Sequence, residues 1–308
     1  IRMAGRGRAR GRSRGLVDQE ITSPGGLASR HSDGDAEDVP NGQFHSEPLD
    51  VKNSTPDQPT LSLNDMKSIL EDSRTYSDQN DVKRVLLCAK NFVRTEEDVR
   101  LLALIIYNKC LEDCSLAKRG SEMCDIMSCI EVGNIKFRNC LLNLVQADYK
   151  ARKEIAVQNP QRFTCFLAFL CNIFGIMRTA TDEVFKPLVN PIFDCFNLIL
   201  NPNYVREDEE SVEPRVADVE NVNEDACEVF SQELQPIGKL LEENGEEQMQ
   251  QLIDNIRTCI INSKSLPRVR CSLLEVIEAY ARGWEPANNE TTRFYCDMSV
   301  GLISGLVL

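Results

Sequence analysis

Apolar residues fall at three- and four-residue spacing along nearly the whole chain from Leu61 onward, and the densest run is Arg162 to Leu200. There Phe163, Phe166, Leu167, Leu170, Phe174 and Met177 share one helix face, while Cys165, Phe169, Ile173 and Ile176 cover another. A helix that is apolar nearly all round has to be packed on several sides by other helices. Arg178, Asp182 and Lys186 interrupt this stretch into apolar segments of roughly 18 residues, which do not read as membrane spans. The pattern therefore predicts a helical hairpin at the heart of a soluble, all-α domain.

The same periodicity places further helices on both sides. Leu61–Asp72 and Asp78–Arg94 come first, the second with Val82, Val85, Leu86, Ala89 and Val93 on one face. Thr95 is the expected N-cap of the next helix, with Glu96, Glu97 and Asp98 in its positive first turn and Val99, Leu102, Ile106 and Cys110 as its stripe. Ser115–Glu131 and Asn134–Val157 follow, then the core pair Pro160–Thr179 and Val184–Leu200, where Pro191 predicts a kink or a split. Beyond an acidic stretch, helices are expected at Ala226–Asn244, Glu246–Ile261 and Leu266–Arg282. Ser265 is read as the cap of the last and Gly283 as its exit. No segment alternates with period two, so no strand is expected.

About ten helices make five antiparallel pairs of roughly 40–45 residues, the spacing of HEAT-type repeats. One such pair cannot bury its own apolar face, so neighbours must stack into a solenoid. The predicted organisation is a tail over residues 1–60, a solenoid over 61–297 and a short end over 298–308. The tail is rich in Gly, Pro, Ser, Asp and Asn and reads as disordered. Residues 205–228 carry ten acidic side chains against Arg206 and Arg215 and read as an exposed loop, either simply solvated or docking a basic partner. The apolar end Val300–Leu308 is too short to span a membrane, and is read as docking on the last helix or as a ragged terminus. Ile1 and Arg2 precede Met3, which is the expected translation start.

Composition narrows the chemistry. His31 and His45 are the only histidines and both lie in the tail, so the helical region has none for Ser-His-Asp or Cys-His catalysis or for a histidine-containing zinc site. With no glycine-rich phosphate loop either, no catalytic residue, metal or cofactor is expected and the chain is read as non-enzymatic. The 13 cysteines are odd in number and form no CxxC, and most sit among apolar neighbours. Buried free thiols of a reducing compartment fit them better than a disulfide framework. From residue 61 onward 39 acidic residues face 27 basic ones, so nucleic acid is not held there by overall charge.

Three groups of residues are candidates for binding. In the tail, Arg6, Arg8, Arg10, Arg12 and Arg14 form an Arg-Gly segment of the kind that contacts RNA or is methylated, against the alternative of a solubilising leader. Lys136, Arg138, Lys150, Arg152 and Lys153 form a candidate basic face on the fifth helix, although Lys150–Glu154 and Asp148–Arg152 spacing also fits ordinary helix-face pairing. Trp284, Phe294 and Tyr295 are candidates for partner contact, or for packing back on the final repeat.

Five blocks, in order, carry a resemblance. They are FRNCLLNLVQADYKARKEI (137–155), FLCNIFGIMRTAT (169–181), LVNPIFDCF (188–196), LQPIGKLLEE (234–243) and SLLEVIEAYARGW (272–284). Over roughly Val82 to Tyr295 the chain resembles the middle domain of the translation initiation factor 4 gamma scaffold, a HEAT-type fold of five helix pairs. It resembles in particular the small adaptor branch that holds the nuclear-cap-binding-complex-dependent initiation factor and the histone stem-loop-binding-protein interactor. Two features depart from that branch, the longer acidic stretch at 205–228 and the shorter, dissimilar tail.

What the resemblance implies is a cytoplasmic adaptor in mRNA translation initiation, with a perinuclear position as the narrower alternative. Its implied partners are a DEAD-box RNA helicase, initiation factor 3, and the cap-binding complex or the stem-loop-binding protein, with RNA met directly or through them. The alternative of the same fold is a translational repressor or mRNA-decay adaptor. No membrane association is expected, and self-association as a homodimer is left open.

Overall fold

The computed structural model describes residues 86–87, 89–179, 181–201, 222–262 and 264–305. The predicted helix at 61–72, the tail and most of the acidic stretch lie outside the described residues. Residues 86–87 and 89–92 are helical. Ten helices follow: α1 (Glu96–Glu112), α2 (Ala117–Met127), α3 (Phe137–Lys150), α4 (Arg152–Gln158), α5 (Pro160–Ile176), α6 (Val189–Leu200), α7 (Glu224–Asn244), α8 (Glu246–Ile261), α9 (Pro267–Ala281) and α10 (Asn289–Ile303).

Successive helices alternate between two layers. In the first, α2 packs on α5, α5 on α7, and α7 on α9; in the second, α1 packs on α3 and α6 on α8. With residues 86–92 as the partner of α1, and α3 and α4 counted as one broken helix, the order makes five pairs. This is the HEAT-type stack the spacing predicts, and it follows from each pair having an apolar face it cannot cover alone.

α5 is the centre. Phe163 through Cys171, Ile173 and Phe174 are all buried, since α2, α7, α1, α4 and α6 each cover a side of it. Asn159 caps its start by accepting from the Arg162 backbone N–H (3.1 Å), with Pro160 in the first turn. At its far end the Arg178 guanidinium donates to the carbonyls of Phe174 (3.3 Å), Gly175 (3.0 Å) and Met177 (2.9 Å). A cation there meets both the orphan carbonyls and the negative end of the helix. Thr95 caps α1 as expected, in a capping box with Asp98.

Several boundaries depart from the sequence reading. A two-residue hairpin pairs Glu131–Val132 with Ile135–Lys136 around Gly133 (φ 59°), too short to show period-two alternation. Phe137 therefore starts the next helix, and Lys136 sits on a strand. That helix breaks at Ala151 (φ −90°, ψ 7°). Pro191 falls in the first turn of α6, where its missing N–H costs nothing, so the expected kink does not arise. Ser265 does not cap α9, whose N-cap is Leu266 without a side-chain bond; Ser265 is instead buried beside Cys259 (3.8 Å). Glu224 and Asp225, read as loop, form the start of α7, two residues ahead of the expected Ala226. Residues 298–303 are not a separate end but the last turns of α10, which the sequence reading missed.

The cysteines need one correction. Cys114 and Cys165, 51 residues apart in sequence, are joined as a disulfide, while ten others among the described residues are free. Spacing gave no hint of the pair because packing of α5 against the turn Cys114–Leu116 brings the two together.

Candidate interaction surface

The neighbouring helices of the second layer are tied by side-chain hydrogen bonds, and these decide which polar groups are left for partners. Tyr107 on α1 donates its hydroxyl to Asp148 on α3 (2.9 Å), and Arg162 on α5 donates to the same carboxylate (2.7 Å). The next residue, Tyr149, repeats the arrangement one helix on by donating to Asp194 of α6, which also faces Arg152 (4.0 Å). Further along, Gln248 donates to Asn190 (2.7 Å) and Asn255 to Asn197 (2.8 Å). Both partners advance by seven residues between these two bonds, so α6 and α8 run parallel and in register. Burial of Tyr107 and its carboxylate neighbour both push its phenol pKa well up, so it stays a donor.

These ties dismantle the basic face expected on the fifth helix. Arg152 is turned inward, its side chain 7% exposed, with its guanidinium over the Tyr149 ring (4.3 Å) and donating to the Tyr149 carbonyl (3.1 Å). It faces Asp194 rather than the Asp148 that helical spacing offered, because α6 supplies a buried carboxylate and Asp148 is taken by Tyr107 and Arg162. Arg138 lies half-buried over the Phe185 ring (5.4 Å to its centre). Lys136 is exposed on its strand and pairs with Glu131 (3.5 Å). Lys150 is exposed and Lys153 half-buried at the other end, about 20 Å away along the helix axis. The five residues thus form two separate groups, not one continuous patch.

Lys153 lines a cleft of about 280 Å³ with Ala156, Val157, Pro160, Phe163 and Leu198 among its walls. Val157 is 80% exposed there, the most exposed large apolar side chain of that segment. The cleft lies where α4 meets α5 and where α6 ends and α7 begins, so it is built from four helix ends. Sequence reasoning did not find it, because its walls come from positions up to 73 residues apart, between Lys153 and Ala226.

The C-terminal aromatics separate in the same way. Gly283 (φ 66°) and Trp284 (φ 65°) turn the chain back at the end of α9, with the Gly283 N–H on the Tyr280 carbonyl (2.9 Å) and the Trp284 N–H on Ala279 (2.8 Å). This is a Schellman closure with glycine where a left-handed residue is needed. The left-handed conformation is unfavourable for a tryptophan, and burial offsets it. The indole lies directly on Gly238, where any Cβ would collide with the ring, and its N–H donates to Glu242 (2.8 Å). Tyr295 is also buried, with its pKa raised by that burial and by its hydrogen bond to Glu278. Of the three, only Phe294 is exposed (56%); Val300 (64%) and Ile303 (65%) are exposed elsewhere round α10. The five tail arginines lie outside the described residues.

On the first layer, Asn172 of α5 donates to Glu233 of α7 (2.7 Å). Burial raises the Glu233 pKa to about 7, opposed by that hydrogen bond and by Lys118. Among the described residues no three His, Cys, Asp or Glu side chains converge to hold a metal ion, and no helix is long and apolar enough to cross a membrane. What the described residues present is a helical surface that includes this largely apolar cleft.

Comparison with known proteins agrees with this geometry. The MIF4G domain profile matches residues 71–281. A CBP80/20-dependent translation initiation factor of Xenopus tropicalis is 32% identical over 251 residues, 81% of this chain and 40% of that protein. The MIF4G domain-containing protein of Homo sapiens is 28% identical over 206 residues, 66% of this chain and 85% of that protein. The chain thus spans less than half the length of the Xenopus initiation factor and most of the length of the smaller human relative. It belongs to the MIF4G domain family.

Proposed function

We propose that this chain is a non-enzymatic adaptor in mRNA translation initiation, working in the cytoplasm. The observation that carries the reading is the two-layered stack itself, whose neighbouring helices are joined by side-chain hydrogen bonds such as Tyr107–Asp148 and Asn255–Asn197. Solenoids of this kind act by holding partners, and tethering two factors raises their effective concentration by orders of magnitude without bond chemistry. Family membership and the initiation-factor relative supply the process.

By analogy with the name of that relative, one partner is a cap-binding complex; the histone stem-loop-binding protein is the other mRNA-side candidate. A DEAD-box helicase and initiation factor 3 are the partners on the ribosome side. The Arg-Gly tail, with Arg6 to Arg14, adds a salt-sensitive contact to RNA. Phe294 and Lys150, both exposed, are the contact candidates of this reading.

Tethering the chain to a reporter mRNA through a coat-protein fusion tests the direction. The expected result is translation raised several-fold at constant mRNA level. Lowered output or faster mRNA loss would instead assign the repressor or decay role. Affinity purification after RNase treatment, read by mass spectrometry, then identifies which factors stay bound.

A further inference from the structure

Cys114 and Cys165 stand apart from every other cysteine described. They are joined, with Cα atoms 4.5 Å apart, in a chain whose ten other described cysteines are free. A disulfide framework pairs its cysteines throughout, whereas a single pair among many free thiols, in the reducing compartment proposed above, is the pattern of a redox-responsive bond. The two positions also differ in access. Cys114 is half-buried in the turn between α1 and α2, and Cys165 is fully buried in the second turn of α5. Gln161 points its amide at both sulfurs (3.7 Å each) from the surface of α5. The remaining interior thiols are poor competitors: burial holds Cys124 and Cys171 well above the usual thiol range and Cys110 at about 12.

We infer that Cys114 and Cys165 form a reversible thiol–disulfide staple that fixes α5 against the α1–α2 turn when oxidised and releases it when reduced. Glutathione disulfide is the class of oxidant. The accessible Cys114 thiolate attacks one sulfur of it, releasing a glutathione thiolate and leaving a mixed disulfide. The Cys165 thiolate then attacks the Cys114 sulfur and expels the second glutathione thiolate. The two protons lost by the cysteines balance those taken up by the two glutathiones, and a dithiol reverses the sequence. Direct attack at Cys165 from solution is blocked by its burial, so the order is set by the fold. Because the bond spans the joint between the first two repeats and the third, it governs how rigidly that joint is held. The inference rests on the cytoplasmic setting of the proposed function but not on the adaptor role.

The test uses the full chain, equilibrated anaerobically in glutathione buffers of increasing oxidised fraction and then acid-quenched. Free thiols are alkylated with one reagent and, after reduction, the rest with another, and peptides are read by mass spectrometry. Cys114 and Cys165 are expected to become protected together, in one two-thiol transition, while Cys124, Cys171 and Cys195 stay free. Tm is expected to rise by about 8–16 °C across the same transition, from the entropy of closing a 51-residue span. A C114S/C165S variant is expected to keep the reduced Tm at every ratio. Full alkylation of both cysteines at the highest glutathione disulfide level would overturn the inference. So would a bond that survives excess dithiothreitol in the folded protein, which would make it a permanent brace. The wild-type titration decides the matter even if the double variant does not fold.

Discussion

Glu233 illustrates how a single side chain can set a pH dependence for the whole stack. Its folded pKa is near 7 because burial disfavours the charge, while the unfolded chain ionises near the ordinary value of 4.5. Between those values the folded state keeps a proton that the unfolded state has lost, so stability falls as pH rises through this window and levels off above it. Glu233→Gln is expected to remove that fall. Thermal melts at about pH 5 and about pH 8 should show the variant gaining on wild type at the higher pH, whereas parallel curves would place Glu233 in a wetter setting. None of this was readable from sequence, where Glu233 is one of many acids on an amphipathic helix. Trp284 is the opposite case. Its position after a capped helix and before Pro286 already suggested packing back on the last repeat, and the glycine at 238 that receives the ring is the part sequence did not connect.

At the level of elements, what decided legibility was whether the signal was local. The Thr95 cap, the acidic first turn of α1 and the all-round apolar character of α5 all lie within one helix and were correctly anticipated. Thr95→Ala is expected to cost about 1 kcal/mol in urea unfolding, since the hydroxyl that accepts from the Asp98 N–H is lost while the Asp98 carboxylate still accepts from the backbone N–H at position 95. The errors came where a neighbour intervened. Arg152 looked like part of a solvated face until α6 placed Asp194 beside it, and Cys165 looked like one more buried thiol until the Cys114 turn reached it. α10 went unrecognised because its apolar side chains spread round the helix instead of forming one narrow stripe, and only Tyr295 and Gly301 are buried. The fold was therefore legible from periodicity, and the candidate surface largely was not, because it consists of what remains after such pairings are made.

For the molecule as a whole, stacking with neighbours only means that damage should stay local. Asp194→Ala removes the buried carboxylate that faces Arg152 and accepts from Tyr149, a change expected to cost about 3–5 kcal/mol. In hydrogen exchange, lost protection should concentrate in α3, α4 and α6, with α9 and α10 little changed. Uniform loss along the chain would instead mean that the stack unfolds as one unit.

The adjacency of Asp148 and Tyr149 carries a consequence for how such a chain can grow. One helix offers an acceptor to the helix before it and, from the very next residue, a donor to the helix after it. A helix pair copied with that two-residue step arrives with both fittings already in place, compatible with an upstream and a downstream neighbour alike. Duplication can then lengthen the array without first inventing a new joint, and divergence is left free to work on the outward-facing positions where partners are chosen.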